Sequence, residues 1–355
     1  MRICLIASSR YPIREPFAGG LEAMTHTMVR GLAARGHDVT LFAGPGSDAS
    51  LPARVLQLKT FTPSAAALAD RNAPPPAWLA DHHAYLGLML ELARTGADDY
   101  DVIHNHSLHP LPIAMASAVS VPILTTLHTP PLPLIESALR LGGGRSSFVA
   151  VSGWTSQAWS HVVPSRVITN GLDLAAWTQG AGGGPAVWSG RLVPEKAPHH
   201  AMEAARRAGL PLVLAGPAQE KPYFEREIAP RLTEDITYAG HLTQHELGRL
   251  VRGASVTVVT PMWDEPYGLV AAESIACGTP VAGYARGGLP EVVGDEGGFL
   301  VAPGDIDALA DAMRAARGLD RDAVRRHAVL TCGAEAMIDA YERLYLDSVG
   351  TDAAA

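Results

Sequence analysis

The chain has 355 residues, of which 47% are hydrophobic and 18% charged; this is enough for two domains of ordinary size and too apolar for extended disorder. A formal charge of −8 gives no basic field for a polyanion, so no nucleic-acid partner is expected. Cys4, Cys277 and Cys332 are far apart, with no CxxC or Cys/His cluster, which argues against both a disulfide framework and a zinc cage.

Residues 2–7 read as a buried first strand, too short an apolar run for a signal peptide. No stretch reaches the roughly eighteen uninterrupted apolar residues of a membrane span, so a cytoplasmic protein without membrane association is expected. Gly19-Gly20 separates that strand from a helix over 21–35, which Gly36 stops. The pair lacks the GxGxxG spacing, and no acidic residue ends the next strand, 38–43, as NAD recognition would want. A plain turn and a close backbone approach to a ligand both remain open there. The Pro-rich stretch within 62–78 reads as a surface excursion, followed by a helix over 79–94. Strands follow at 101–105, 122–127 and 147–152. His104, His106, His109 and His128 gather near the ends of these strands. Alternation along a strand and the lack of a nearby carboxylate disfavour a metal. His128 reads either as a neutral ring lining a ligand pocket or as a satisfied core histidine.

The glycine run at 178–185 cannot pack a core and reads as a flexible joint or loop. Beyond it the pattern restarts, with strands at 186–190, 211–215 and 236–239 and helices at 197–208 and 244–252. Strand 256–261, helix 268–277, strands 280–284 and 298–301, and helices 306–317 and 334–346 complete it, and residues 351–355 should fray. Alternating strands and helices imply an α/β protein of two Rossmann-like, doubly wound domains, with ligands at the carboxyl ends of the strands and the cleft between the domains as the site. The domain spans are 1–168 and 169–330, with a final helix over 331–350.

The most informative stretch is Glu265-Pro266-Tyr267-Gly268-Leu269-Val270-Ala271-Ala272-Glu273. It leaves a buried β-branched strand, turns at Pro-Tyr-Gly and enters a helix. Free N–H groups at Gly268 and Leu269 would welcome an anion, and Glu273 follows about 7 Å along the helix axis. One carboxylate beside an anion site and another along its flank suit a nucleotide-sugar, with a polyol on each side of its phosphates. Either glutamate alone is ordinary on a solvated surface, and a glycosidase pair is the competing chemistry. Arg191 and Lys196, leaving the strand at 186–190, add a planar fork and a point charge able to neutralise a diphosphate; an ordinary solvated loop also holds such residues.

Taken together, the Glu265 to Glu273 elbow, Gly190-Arg191-Leu192 with Glu195-Lys196, Gly19-Gly20-Leu21-Glu22, the His128 loop and Asn170-Gly171-Leu172-Asp173 resemble the retaining glycosyltransferases of family 4, with the GT-B fold. Trp263-Asp264-Glu265-Pro266-Tyr267-Gly268-Leu269 and Pro222-Tyr223-Phe224 look like the branch that contains an avilamycin-pathway glycosyltransferase. The resemblance covers nearly the whole chain. It implies that Arg191 and Lys196 hold the donor diphosphate, that Glu273 takes the ribose hydroxyls, and that Glu265, Tyr267, Gly268 and Leu269 hold the transferred sugar. His128 would touch that sugar near its reacting face, Gly19 and Gly20 would approach the phosphate, and His241 and Leu242 would lie in the nucleobase loop. The final helix would cross back to the first domain.

The expected activity is transfer of a sugar, with retention and without a metal, from a nucleoside-diphosphate sugar to a hydroxyl acceptor. A UDP-sugar is favoured over a GDP-sugar, no cofactor is expected, and a small soluble acceptor is preferred. The rivals are a nucleotide-sugar epimerase or hydrolase on the same scaffold and a non-catalytic nucleotide-sugar binding protein. Residues 62–78 match no family pattern, and the sequence does not fix the oligomeric state.

Overall fold

The central strands are short, largely apolar runs buried on both faces, which fits parallel pairing with helices above and below. The computed structural model describes residues 1–142 and 146–352 and contains two such sheets. The first holds β1 (Arg2–Ile6), β2 (Asp38–Phe42), β3 (Arg54–Val55), β4 (Val102–Asn105), β5 (Ile123–Leu127), β6 (Ser146–Ala150) and β7 (Arg166–Val167), in the order β3-β2-β1-β4-β5-β6-β7. The second holds β8 (Ala186–Ser189), β9 (Leu212–Ala215), β10 (Ile236–Tyr238), β11 (Thr257–Val259), β12 (Val281–Tyr284) and β13 (Gly298–Val301), in the order β10-β9-β8-β11-β12-β13. All strand pairs are parallel. This is the expected α/β class with two doubly wound sheets. Strands β3 and β7, two residues each and exposed at the sheet edges, carry no periodicity and were not anticipated.

The helix over 79–94 starts earlier, at Pro76–Asp99, because a proline is well suited to the first helical turn. Only part of the Pro-rich stretch is therefore an excursion. The last helix, Ala334–Asp352, crosses onto the first sheet. Its Met337, Ile338, Tyr341 and Tyr345 are buried with Ile3, Met28 and Leu32 of the first core. On its outer side Glu335, Asp339 and Glu342 all pair with Arg35. The helix runs past the point where fraying was expected; 353–355 lie outside the described residues.

The glycine run is not a free joint. Gly180, Gly182 and Gly184 donate backbone hydrogen bonds to the carbonyls of Cys277, Arg252 and Gly253, and Arg321 Nε donates to the Gly180 carbonyl. Those partners are distant in sequence, so composition alone reads the run as flexible. The two chain segments that pass between the sheets instead pair with each other. Leu172 N donates to Cys332 O at 2.8 Å, and Ala334 N to Leu172 O at 2.9 Å. A Cβ at Gly171 would stand 2.5 Å from Ala334 Cα, so these crossings touch backbone to backbone. All three cysteines are free and buried.

Candidate active site

In each sheet the strand order reverses once, between β1 and β4 in the first and between β8 and β11 in the second, and a doubly wound sheet takes its ligand at such a switch point. The loops leaving these four strands face one another across a cleft of about 630 Å³. The second sheet supplies Arg191, Lys196, Glu265, Gly268, Leu269 and Glu273; the first supplies Gly19, Gly20, Glu22, His109 and His128. His241, Leu242 and Tyr267 also line it.

The β8 loop is held by the β11 loop. Trp188 Nε1 donates to Thr260 Oγ1, which lies 2.9 Å from the Lys196 carbonyl and 3.0 Å from that of Ala197. Ala197 is buried and left-handed at φ 43°, an unfavourable state for a residue with a Cβ. That turn sets the direction from which Lys196 enters. Its Nζ pairs with Glu265 Oε2 and sits 4.9 Å above the Trp263 ring. Trp263 Nε1 donates to the same oxygen at 3.1 Å. Arg191 lies 3.5 Å from Glu195. Each cation is thus partnered by a glutamate, and the sequence reading, which kept Lys196 for phosphate and Glu265 for sugar, did not anticipate their pairing.

The helix Leu269–Ala276 begins at Gly268, whose φ of +106° strongly favours glycine; a Cβ there would also meet Leu289 Cδ2 at 2.5 Å. The first amides of this helix precede its internal hydrogen bonds and are available to an anion. One turn on, burial pushes the Glu273 carboxyl up to about 8. Among the described residues no side chain neutralises it. Tyr267 lines the cleft from within its wall: its ring is 4% exposed and its hydroxyl bonds Cys332 Sγ at 3.6 Å.

From the first sheet, Gly20 lies against Leu269, whose Cδ1 would be 2.8 Å from a Cβ at that position. Glu22 is buried and its carboxyl is raised mainly by that burial, with the charge of Arg191 acting in the opposite sense. His241 Nε2 reaches the Phe17 carbonyl at 3.0 Å, so its ring joins the two lobes at the rim.

The histidines divide by role. His104 is wholly buried, with Nδ1 2.6 Å from Tyr345 Oη and Nε2 2.8 Å from Thr126 Oγ1; it fastens the last helix. His106 Nδ1 lies 3.0 Å from His128 Nε2, and its own Nε2 is buried with no partner among the described residues. Burial holds His128 down to about 3, leaving a neutral ring at the cleft. Among the described residues no group of three His, Cys, Asp or Glu side chains is arranged to hold a metal, and no helix is long and apolar enough to cross a membrane.

Residues 18–176 match the family model Glycosyltransferase Family 4, and residues 186–321 match Glycosyl transferases group 1. A glycogen synthase of Mycobacterium tuberculosis is 30% identical, with 88% of this chain and 85% of that protein covered. The chain is a family 4 glycosyltransferase. The structure of AviGT4, a glycosyltransferase of avilamycin A biosynthesis, matches with a TM-score of 0.73 at 23% identity, over 99% of this chain and 98% of that one. HepE of Anabaena, determined with UDP and glucose, matches with a TM-score of 0.74 at 19% identity, over 97% and 99% of the two chains. At these identities the two structures establish the GT-B fold. Within this glycosyltransferase, the matched group 1 segment spans the loops that carry Arg191, Lys196 and the Glu265 to Glu273 elbow.

Proposed function

We propose that the enzyme transfers a sugar with retention of anomeric configuration from a UDP-sugar to a hydroxyl acceptor, without a metal. The observation that carries this is the cluster of Lys196, Glu265 and Trp263 beside the free amides that follow Gly268. A diphosphate entering there meets two movable cations and a helix N-terminus, the positive charge that a departing pyrophosphate needs. Lys196 then exchanges Glu265 for phosphate oxygen, and the released carboxylate is free to accept hydroxyls of the transferred sugar. Glu273, half-buried one turn on, takes the ribose hydroxyls.

This arrangement supports front-face transfer. The acceptor oxygen attacks the anomeric carbon as its bond to the phosphate oxygen breaks. The leaving phosphate takes the acceptor proton, so no enzyme carboxylate is required as nucleophile. His128, kept neutral, orients the sugar by hydrogen bonding at any ordinary pH. UDP is preferred because HepE, of the same fold, binds UDP and glucose.

The test combines calorimetry with UDP, GDP and ADP and product analysis by NMR in the presence of a divalent-metal chelator. Tightest binding of UDP and an axial product from an axial donor are expected, with chelation leaving the rate unchanged. Donor consumption without a new glycosidic bond, or an inverted product, overturns the reading.

A further inference from the structure

Opposite the donor loops, the cleft is walled by the helix Pro76–Asp99, whose first turn closes the stretch 62–78. Spacings of three and four place Trp78, Asp81, His82 and Tyr85 along one side of it. Their rings continue one another. Tyr85 stacks on His109 with centroids 4.3 Å apart, His109 lies 5.8 Å from His82, and His82 lies flat on Trp78 at 4.9 Å with 7° between the planes. The run begins at buried Tyr85, passes His109 in the cleft wall and ends outside the cleft at Trp78, which is 39% exposed. Beside it, Asp81 takes Arg10 at 3.0 Å and also the Ser9 hydroxyl.

This wall carries no net charge. Arg10 and Asp81 cancel, and burial holds His109 down to about 4. A phosphorylated acceptor would have to draw Arg10 away from Asp81 and would then lie against that unpaired carboxylate. A purely apolar acceptor would take the Arg10–Asp81 pair out of water and offer nothing to its remaining N–H groups and lone pairs. Aromatic faces bordered by a fork of donors and a carboxylate suit a molecule with C–H faces and hydroxyl edges.

We propose that the acceptor is a neutral saccharide of at least two sugar residues, its reacting residue at His109 and the next outward residue on the His82–Trp78 stack. This rests on the glycosyl-transfer reading above and names the acceptor class for the same cleft. The test uses UDP-glucose, UDP-galactose and UDP-N-acetylglucosamine as donors. Acceptors are gluco-, galacto- and manno-oligosaccharides of one to four residues, myo-inositol 1-phosphate and p-nitrophenol. The expected result is a rise in kcat/KM of about tenfold from mono- to disaccharide acceptors. Trp78→Ala abolishes that rise through acceptor KM, leaving donor KM unchanged, and Trp78→Phe restores most of it. Preference for the phosphate or the phenol, use of no saccharide, or a length effect that survives in Trp78→Ala overturns the proposal. Calorimetry with UDP separates the two levels. A protein that does not bind UDP removes the underlying reading, whereas one that binds UDP and ignores saccharides removes only this one.

Discussion

Lys196 and Glu265 are each mostly buried, 22% and 15% exposed, so removing one leaves the other's charge poorly solvated. In Lys196→Ala the unpaired Glu265 carboxylate would face the incoming diphosphate, adding repulsion to the lost cation. If Lys196 supplies about 3 kcal/mol to the leaving group, kcat falls by about a hundredfold or more. A steady-state kcat within about threefold of the parent contradicts the assignment. Glu273 makes a different prediction because its carboxyl is raised rather than lowered. With a folded value of about 8 against 4.5 when unfolded, the folded protein binds the extra proton between those values. Stability therefore declines as pH rises through that window. Binding a ribose diol to the carboxylate expels the proton, so donor affinity should rise with pH up to about 8. Glu273→Gln should bind UDP more weakly, with no such slope in affinity and a flatter melting temperature from pH 5 to 9. Calorimetry and thermal melts across that range check both, and a parent affinity that does not change with pH removes Glu273 from the ribose site.

At the scale of elements, the elbow between β11 and the helix Leu269–Ala276 was legible because its chemistry is contiguous. A β-branched strand, a proline, a glycine and a short helix carry their own local rules. The acceptor wall was not legible, since Arg10, Asp81 and His109 come from three segments brought together only by the sheet order. The glycine run failed for the same reason, its partners Arg252, Cys277 and Arg321 being far along the chain. The last helix falls between these cases. Its apolar spacing was visible, but the tyrosine bond to His104 was not. Tyr345→Phe keeps the ring and strands His104 Nδ1 in a wholly buried place, a loss of about 1–3 kcal/mol. Denaturant unfolding should show a lower midpoint with an unchanged slope. An unaltered midpoint would mean that the hydroxyl does not fasten this helix.

For the whole molecule, the contacts between lobes are unequal. On one side, Ser152 and Thr155 both donate to the Pro266 carbonyl in a buried seam, and Glu291 accepts the amides of Gly153 and Trp154. The paired crossings Leu172, Cys332 and Ala334 lie on the chain paths that join the lobes. At the cleft rim the links are exposed: His241 to the Phe17 carbonyl, and the Gln244 amide to Glu15 Oε2 at 2.9 Å. A rotation that opens the cleft breaks the exposed pair first and keeps the buried seam, which makes 152–155, 266 and the crossings the hinge in place of the anchored glycine run. Closure about that hinge would bring Gly20 and His128 onto the donor and exclude water from the anomeric carbon. Glu15→Ala removes one rim link without touching the seam, so the ligand-free enzyme should spend more time open while its melting temperature stays within about a degree of the parent. Small-angle scattering should then give a larger radius of gyration for the ligand-free variant and the parent's value once UDP is saturating. Equal radii without ligand would show that the rim contact does not hold the lobes together, and a variant that stays expanded with UDP would place the hinge elsewhere.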